Sequence, residues 1–155
     1  MLLGKPEELK DYVKRGQRLL GLDLGSKTIG LALSDAMWTI ASPMETIAKK
    51  KFTPDAEKLF KIADEKNVGG LVLGLPLNMD GTEGPRCQST RQFAQNILKL
   101  RDIPIVFWDE RLSTAAVQRM MIEEMDMTRK RRAEIVDKLA ASYILQGFLD
   151  RVSGK

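Results

Sequence analysis

Three short runs, Arg18 to Leu24, Gly69 to Leu75 and Ile103 to Trp108, consist almost wholly of apolar and small residues, and helical patterns separate them. Runs of this length without polar alternation mark strands buried on both faces, as in parallel sheets covered by helices. Parallel strands need long crossovers, and the stretches between these runs are long enough to hold them. Such a pattern points to a layered α/β domain.

The first run continues into a different kind of structure. After Gly25-Ser26-Lys27, the stretch Thr28 to Asp35 reads as a second strand on a short hairpin link, and Thr39 to Ile47 completes an antiparallel meander. Pro43 places that third strand at an edge. A helix starts at Thr53-Pro54-Asp55 and runs to about Lys66, with Ala56, Leu59, Phe60 and Ala63 on one face. Residues 76–85 form a Gly/Pro/Asn/Asp loop, and a helix follows from about Gln88 to Leu100. Ser113 or Thr114 caps a helix through about Met125. A basic loop holds residues 128–132, and a last helix runs from Ala133 to Asp150. The expected architecture is a mixed five-stranded sheet, a three-stranded meander plus parallel strands, flanked by helices. Residues 1–17 read as a loosely packed N-terminal extension of a single domain spanning 18–150.

Composition limits the chemistry. The chain has no histidine and one cysteine, Cys87. Ser-His-Asp and Cys-His hydrolysis, histidine zinc sites and internal disulfides are therefore excluded. No apolar run reaches the ~18 residues of a membrane span. The N-terminus lacks a signal-peptide pattern, so a cytoplasmic location is expected. The net charge of +4 leans modestly towards polyanions.

Three acids then stand out. Asp23 is a charge within the first apolar run, which ends in a glycine turn. Glu110 and its neighbour Asp109 end the third run. Asp137 sits among Ile135, Val136 and Leu139, with Ala140, Ala141 and Ile144 three, four and seven residues on, sharing its helical face. A carboxylate at such a place costs several kcal/mol unless paired. Carboxylates brought to one point repel each other, and divalent ions are the usual remedy. In open α/β sheets ligands bind beyond the carboxyl ends of the strands, where Asp23 and the Asp109-Glu110 pair lie. Successive strand residues face opposite ways, so one acid of that pair points to the site and the other away, and the residues alone leave open which. The outline is a metal-dependent phosphoryl-transfer or nuclease site.

Other motifs are weaker. Gly21 to Thr28 superficially matches a phosphate-binding P-loop, but the glycine spacing is wrong and the intervening residues alternate as a strand. Asn78 and Arg86 flank the loop after the second parallel strand and are placed to touch a phosphate. Arg111 is suited to hold an acid or a phosphate in bidentate fashion. The run Arg129-Lys130-Arg131-Arg132 suits a nucleic-acid backbone. Met120, Met121, Met125 and Met127 read as helix packing.

The ordered segments Gly21-Leu22-Asp23-Leu24-Gly25-Ser26-Lys27 with Gly30, Gly74-Leu75-Pro76 through Gly84-Pro85, Asp109-Glu110-Arg111-Leu112-Ser113-Thr114, and Asp137 with Ala140-Ala141 together resemble the YqgF/RuvX family. These are Holliday-junction-resolvase-like proteins of bacteria, also described as pre-16S rRNA nucleases. The resemblance implies an RNase H-like fold, a cytoplasmic nuclease and maturation of the 16S rRNA 5′ end. On that pattern Asp23, Glu110 and Asp137 are the catalytic, metal-holding acids, with Glu110 preferred over Asp109.

The combined expectation is a hydrolase with two Mg²⁺ or Mn²⁺ ions on those acids. Lys27, Arg86, Arg111 and the basic run from Arg129 to Arg132 are its nucleic-acid contacts. The partner is pre-16S rRNA, with pre-ribosomal particles, or branched DNA, met by a monomer or weak homodimer. Two rivals remain. The Asp-Leu-Gly-Ser-Lys hairpin also resembles that of actin-like ATPases, which bind nucleotide between two such domains. A non-catalytic ribosome-assembly module is the other.

Overall fold

A computed structural model describes residues 1–25, 27–78, 80–112 and 129–153, and the side chains of the last helix from residue 138 onwards. Six strands form one sheet: β1 (Leu2–Leu3), β2 (Arg18–Leu24), β3 (Thr28–Ser34), β4 (Ala41–Ala48), β5 (Val68–Leu75) and β6 (Ile105–Asp109). Their order is β1-β6-β5-β2-β3-β4. β2, β3 and β4 are the antiparallel meander, and β4, which carries Pro43, is an edge strand. β2, β5 and β6 run parallel.

The sheet has six strands, not the five expected. The added one is β1, whose Leu2 and Leu3 pair in parallel with Ile105 and Val106. Two residues are too few to carry a periodicity, so nothing in the sequence distinguishes them from a frayed end. Nor is the segment before residue 18 loosely packed. Leu9 of the single-turn helix α1 (Leu9–Tyr12) is fully buried, as nearly are Leu3 and Val13. The terminal ammonium donates to Asp102 at 2.7 Å.

Helices cover both faces. α2 (Phe52–Glu65) and α3 (Pro85–Leu100) pack on the side of Leu20, Leu22, Leu71 and Leu73. α4 (Arg129–Val152) packs on the side of Leu19, Val72, Val106 and Trp108. The strand alternation thus assigns every core residue to one layer or the other. The basic run expected in a loop is instead the first turn of α4, so its charges extend the helix. The helix expected between Ser113 and Met125 lies outside the described residues. None of the described helices is long and apolar enough to cross a membrane.

Candidate active site

On β2 the residues facing α4 are Leu19, Gly21 and Asp23. Gly21 has no side chain where the helix comes closest: an added Cβ would lie 2.8 Å from Leu145 Cβ and 3.0 Å from the Ala141 carbonyl oxygen. α4 therefore rests on bare backbone. Asp23, two residues further along, stands at the carboxyl end of the strand with 1% of its surface exposed.

β5 repeats the device. Gly74 lies one step beyond the Leu22–Leu73 pair and opposite Trp108 of β6. A Cβ on Gly74 would collide with Ile144 of α4 and would sit 3.2 Å from Oε1 of Glu110. The Glu110 carboxylate thus occupies space that any other residue at 74 would fill. Glu110 opens the 3₁₀ turn that follows β6 and is 7% exposed. Asp23 and Glu110 are therefore two buried acids on the α4 side of the sheet, at the ends of strands flanking β5.

Asp109 points elsewhere. Its carboxylate accepts two hydrogen bonds from Nε of Arg111 and one from Nη2 at 2.8 Å, and it also accepts the Arg111 backbone N–H at 2.9 Å. The Arg111 guanidinium holds the Asp109 carboxyl below the usual carboxylate range. Of the two roles open to Arg111, an acid or a phosphate, the acid is Asp109.

α4 descends from this edge against the direction of β2. Ala141 and Leu145 meet Gly21, Ile144 meets Gly74, and the Val152 carbonyl accepts from Lys10 near the N-terminus. Asp137 precedes Ala141 by four residues, a rise of about 6 Å. Asp23 lies two strand residues beyond Gly21, about 6.6 Å. The backbone of Asp137 is therefore level with Asp23, while its side chain is outside the described set. Among residues whose side chains are described, no group of three acids, cysteines or histidines is close enough to hold a metal. Asp23 and Glu110 nevertheless suit a hard divalent cation: both are buried carboxylates that offer oxygen donors on the α4 side of the sheet. Cys87 is no rival nucleophile, because it is wholly buried and burial pushes its thiol up.

A cavity of about 420 Å³ opens beside Glu110, lined by Pro76, Leu77, Asn78, Arg86 and Arg111. Its loop is internally braced. Asn78 N–H donates to the Thr82 carbonyl at 2.9 Å, and Thr82 Oγ1 donates to Asp80 at 2.6 Å. Gly81 supplies the left-handed turn, with φ of 89°. Arg86, in the first turn of α3, donates from Nη2 to the Leu24 carbonyl at 3.3 Å, directly after Asp23. Lys27 is exposed in the turn after β2. The side chains of Arg129 to Arg132 are outside the described set. Sequence reasoning missed the part played by Gly74, whose signal was a glycine inside an otherwise buried strand.

Acids at the carboxyl edge of a mixed sheet of this order, with a long helix across one face, define the RNase H-like class of fold. The same fold occurs in the solved structure "T. thermophilus RuvC in complex with Holliday junction substrate", with a TM-score of 0.53 at 9% identity over 88% of this chain and 96% of that one. Residues 17–151 match the RuvX family, described as Holliday junction resolvase, and the chain belongs to that family. A protein of Paramagnetospirillum magneticum named "Putative pre-16S rRNA nuclease" is 65% identical over 96% of each chain. One of Rhodospirillum rubrum with the same name is 60% identical over 90% of this chain and 87% of that one.

Proposed function

We propose that this protein is a metal-dependent nuclease that hydrolyses phosphodiester bonds in RNA and trims the 5′ end of pre-16S rRNA in the cytoplasm. The observation that carries the reading is the pair of buried acids, Asp23 and Glu110, held on one face by glycines at 21 and 74. The naming of relatives at 65% and 60% identity supports the choice of RNA.

Asp23, Glu110 and Asp137 are the residues that would hold Mg²⁺ or Mn²⁺, two ions in the two-metal form of the proposal. When bound, such ions supply an activated water and stabilise charge on the leaving oxygen. The chain's own groups do the positioning. Arg86 and Lys27 flank the end of β2 and attract the phosphate backbone. Arg111, fixed by Asp109, lines the cavity beside Glu110. The first turn of α4 carries Arg129, Lys130, Arg131 and Arg132, residue types suited to a phosphate backbone. Burial of Asp23 and Glu110 reduces their screening by bulk water.

The test offers precursor 16S rRNA, single-stranded RNA and a four-way DNA junction side by side with Mg²⁺ or Mn²⁺. Metal-dependent cleavage of the precursor, abolished in Asp23→Asn and Glu110→Gln, is expected; intact cleavage by Asp23→Asn refutes the assignment. Mn²⁺ at about 100-fold its Kd stabilises the wild type by about 2.7 kcal/mol. Asp23→Asn loses that stabilisation. The second reading, a junction resolvase, follows the family's description. A four-way junction has two-fold symmetry, so a solution mass of one chain counts against it and for the RNA substrate.

A further inference from the structure

A second cavity, of about 670 Å³, lies on the face of the sheet opposite α4. Its walls are the end of β2 (Leu24, Gly25), the connection from β4 into α2 (Lys49, Lys50, Phe52) and the outer side of α3 (Gln92, Phe93, Asn96). Arg86 lines both this cavity and the one beside Glu110.

The chemistry of the walls is distinctive. Lys49 donates from Nζ to the Gly25 carbonyl at 2.8 Å, and Arg86 donates to the Leu24 carbonyl. Two cations are thereby fixed on the backbone immediately after Asp23, and Lys50 adds a third. None of the three has a carboxylate partner among the described residues. Phe52 and Phe93 are half-buried, edge to face with ring centroids 5.7 Å apart. Asp55, 6% exposed, accepts the Lys50 backbone N–H at 3.1 Å through Oδ2, while its Oδ1 makes no hydrogen bond. Cationic rims beside aromatic platforms are how proteins hold unpaired nucleotides, and the volume is that of a small-ligand site.

We propose that this cavity takes one unpaired nucleotide of the substrate strand, adjacent to the phosphate held at Asp23. Its phosphate lies on Lys49, Lys50 and Arg86, and its base lies against Phe52. The proposal rests on the nuclease reading, and it adds a requirement: a base stacked in a duplex cannot enter. Cleavage is thereby directed to positions beside an unpaired residue.

The test is fluorescence anisotropy of the full chain in EDTA. The probes are a labelled single-stranded RNA and a series carrying one abasic position walked along it. The wild type is expected to lose about tenfold in affinity at one abasic position. Phe52→Leu binds the intact strand about tenfold more weakly and shows no further loss at that position. A flat abasic profile in the wild type, or the same penalty in Phe52→Leu, overturns the proposal. Should Phe52→Leu fail to fold, Lys50→Ala decides, since Lys50 is exposed. A salt dependence reduced by about one phosphate contact supports the site, and an unchanged one overturns it. Failure of this inference is distinct from failure of the nuclease reading. A strand that is cut by the wild type but has a flat profile removes the pocket alone, whereas a strand neither bound nor cut removes both.

Discussion

Replacing Gly21 with alanine tests whether the site depends on bare backbone between β2 and α4. The new Cβ would stand 2.8 Å from Leu145 Cβ, against an ordinary carbon contact of about 3.5–4.0 Å, so the helix must retreat by roughly 0.7–1.2 Å. The second obstacle, the Ala141 carbonyl at 3.0 Å, is backbone and cannot rotate away. Overpacking of this kind costs about 1–3 kcal/mol. For a chain of this size that lowers Tm by about 2–12 °C. The protein stays folded at 25 °C, because native stabilities run at about 5–15 kcal/mol. Activity suffers separately. Asp137, a metal-holding acid on the proposed reading, is one turn along the displaced helix, and a misplacement of about 1 Å in such a group costs on the order of a hundredfold. Differential scanning calorimetry and single-turnover cleavage read the two effects. A variant with unchanged Tm and full activity would show that α4 does not take its height from Gly21, and the argument for Asp137 would fall with it.

Gly74→Ala should also destabilise, but here the first obstacle is the mobile end of Ile144. Adding Ile144→Val should therefore recover about 0.5 kcal/mol or more in a double-mutant cycle read by urea unfolding. Cleavage is not recovered, because the new Cβ still lies 3.2 Å from the Glu110 carboxylate. The Asp109–Arg111 pair gives a pH dependence. Asp109 is depressed in the folded state, so its contribution is present above its unfolded value, about 3.9, and is lost as pH falls through the folded value. Arg111→Gln should flatten the loss of stability below about pH 4. The change is small, since Arg111 is 35% exposed and solvent screens the pair. An identical acid limb in both proteins would count against the pair.

The parts of this fold visible in the sequence are those where burial is written in consecutive residues. The three parallel strands announce themselves as apolar runs, and the edge position of β4 follows from Pro43. β1 is invisible because Leu2 and Leu3 gain their meaning only from Ile105 and Val106, a hundred residues away. The run from Arg129 to Arg132 is read as a loop because four cations have no apolar spacing, yet α4 continues through it. The helix expected to start at Thr53 begins at Phe52, with Lys51 in the cap position. Asp55, in the first turn, reaches back to accept the Lys50 N–H. In each case the deciding partner lies outside the local window. Of the candidate acids, Asp23 was legible as a charge among buried types. The division of labour between Asp109 and Glu110 was not legible from the residues alone, because it depends on Arg111 capturing one and Gly74 making room for the other.

What distinguishes this edge of the sheet is that space, more than side chains, has been placed there. Gly21 lets a helix settle on β2, Gly74 opens a slot for Glu110, and Ala140 and Ala141 keep the facing side of the helix shallow. Burying Asp23 there carries a desolvation cost, and a bound cation would be one way of offsetting it. The opposite face makes the complementary choice: Lys49 and Arg86 are tied to the Leu24 and Gly25 carbonyls and lack carboxylate partners among the described residues. Acids on one side of the strand end and cations on the other impose a polarity on any polyanion that crosses it. On the nuclease reading, a strand with its phosphates on the cationic side would meet Asp23 at the end of β2. Arg86, shared by both cavities, is thus the residue whose loss should weaken binding and misplace cleavage together.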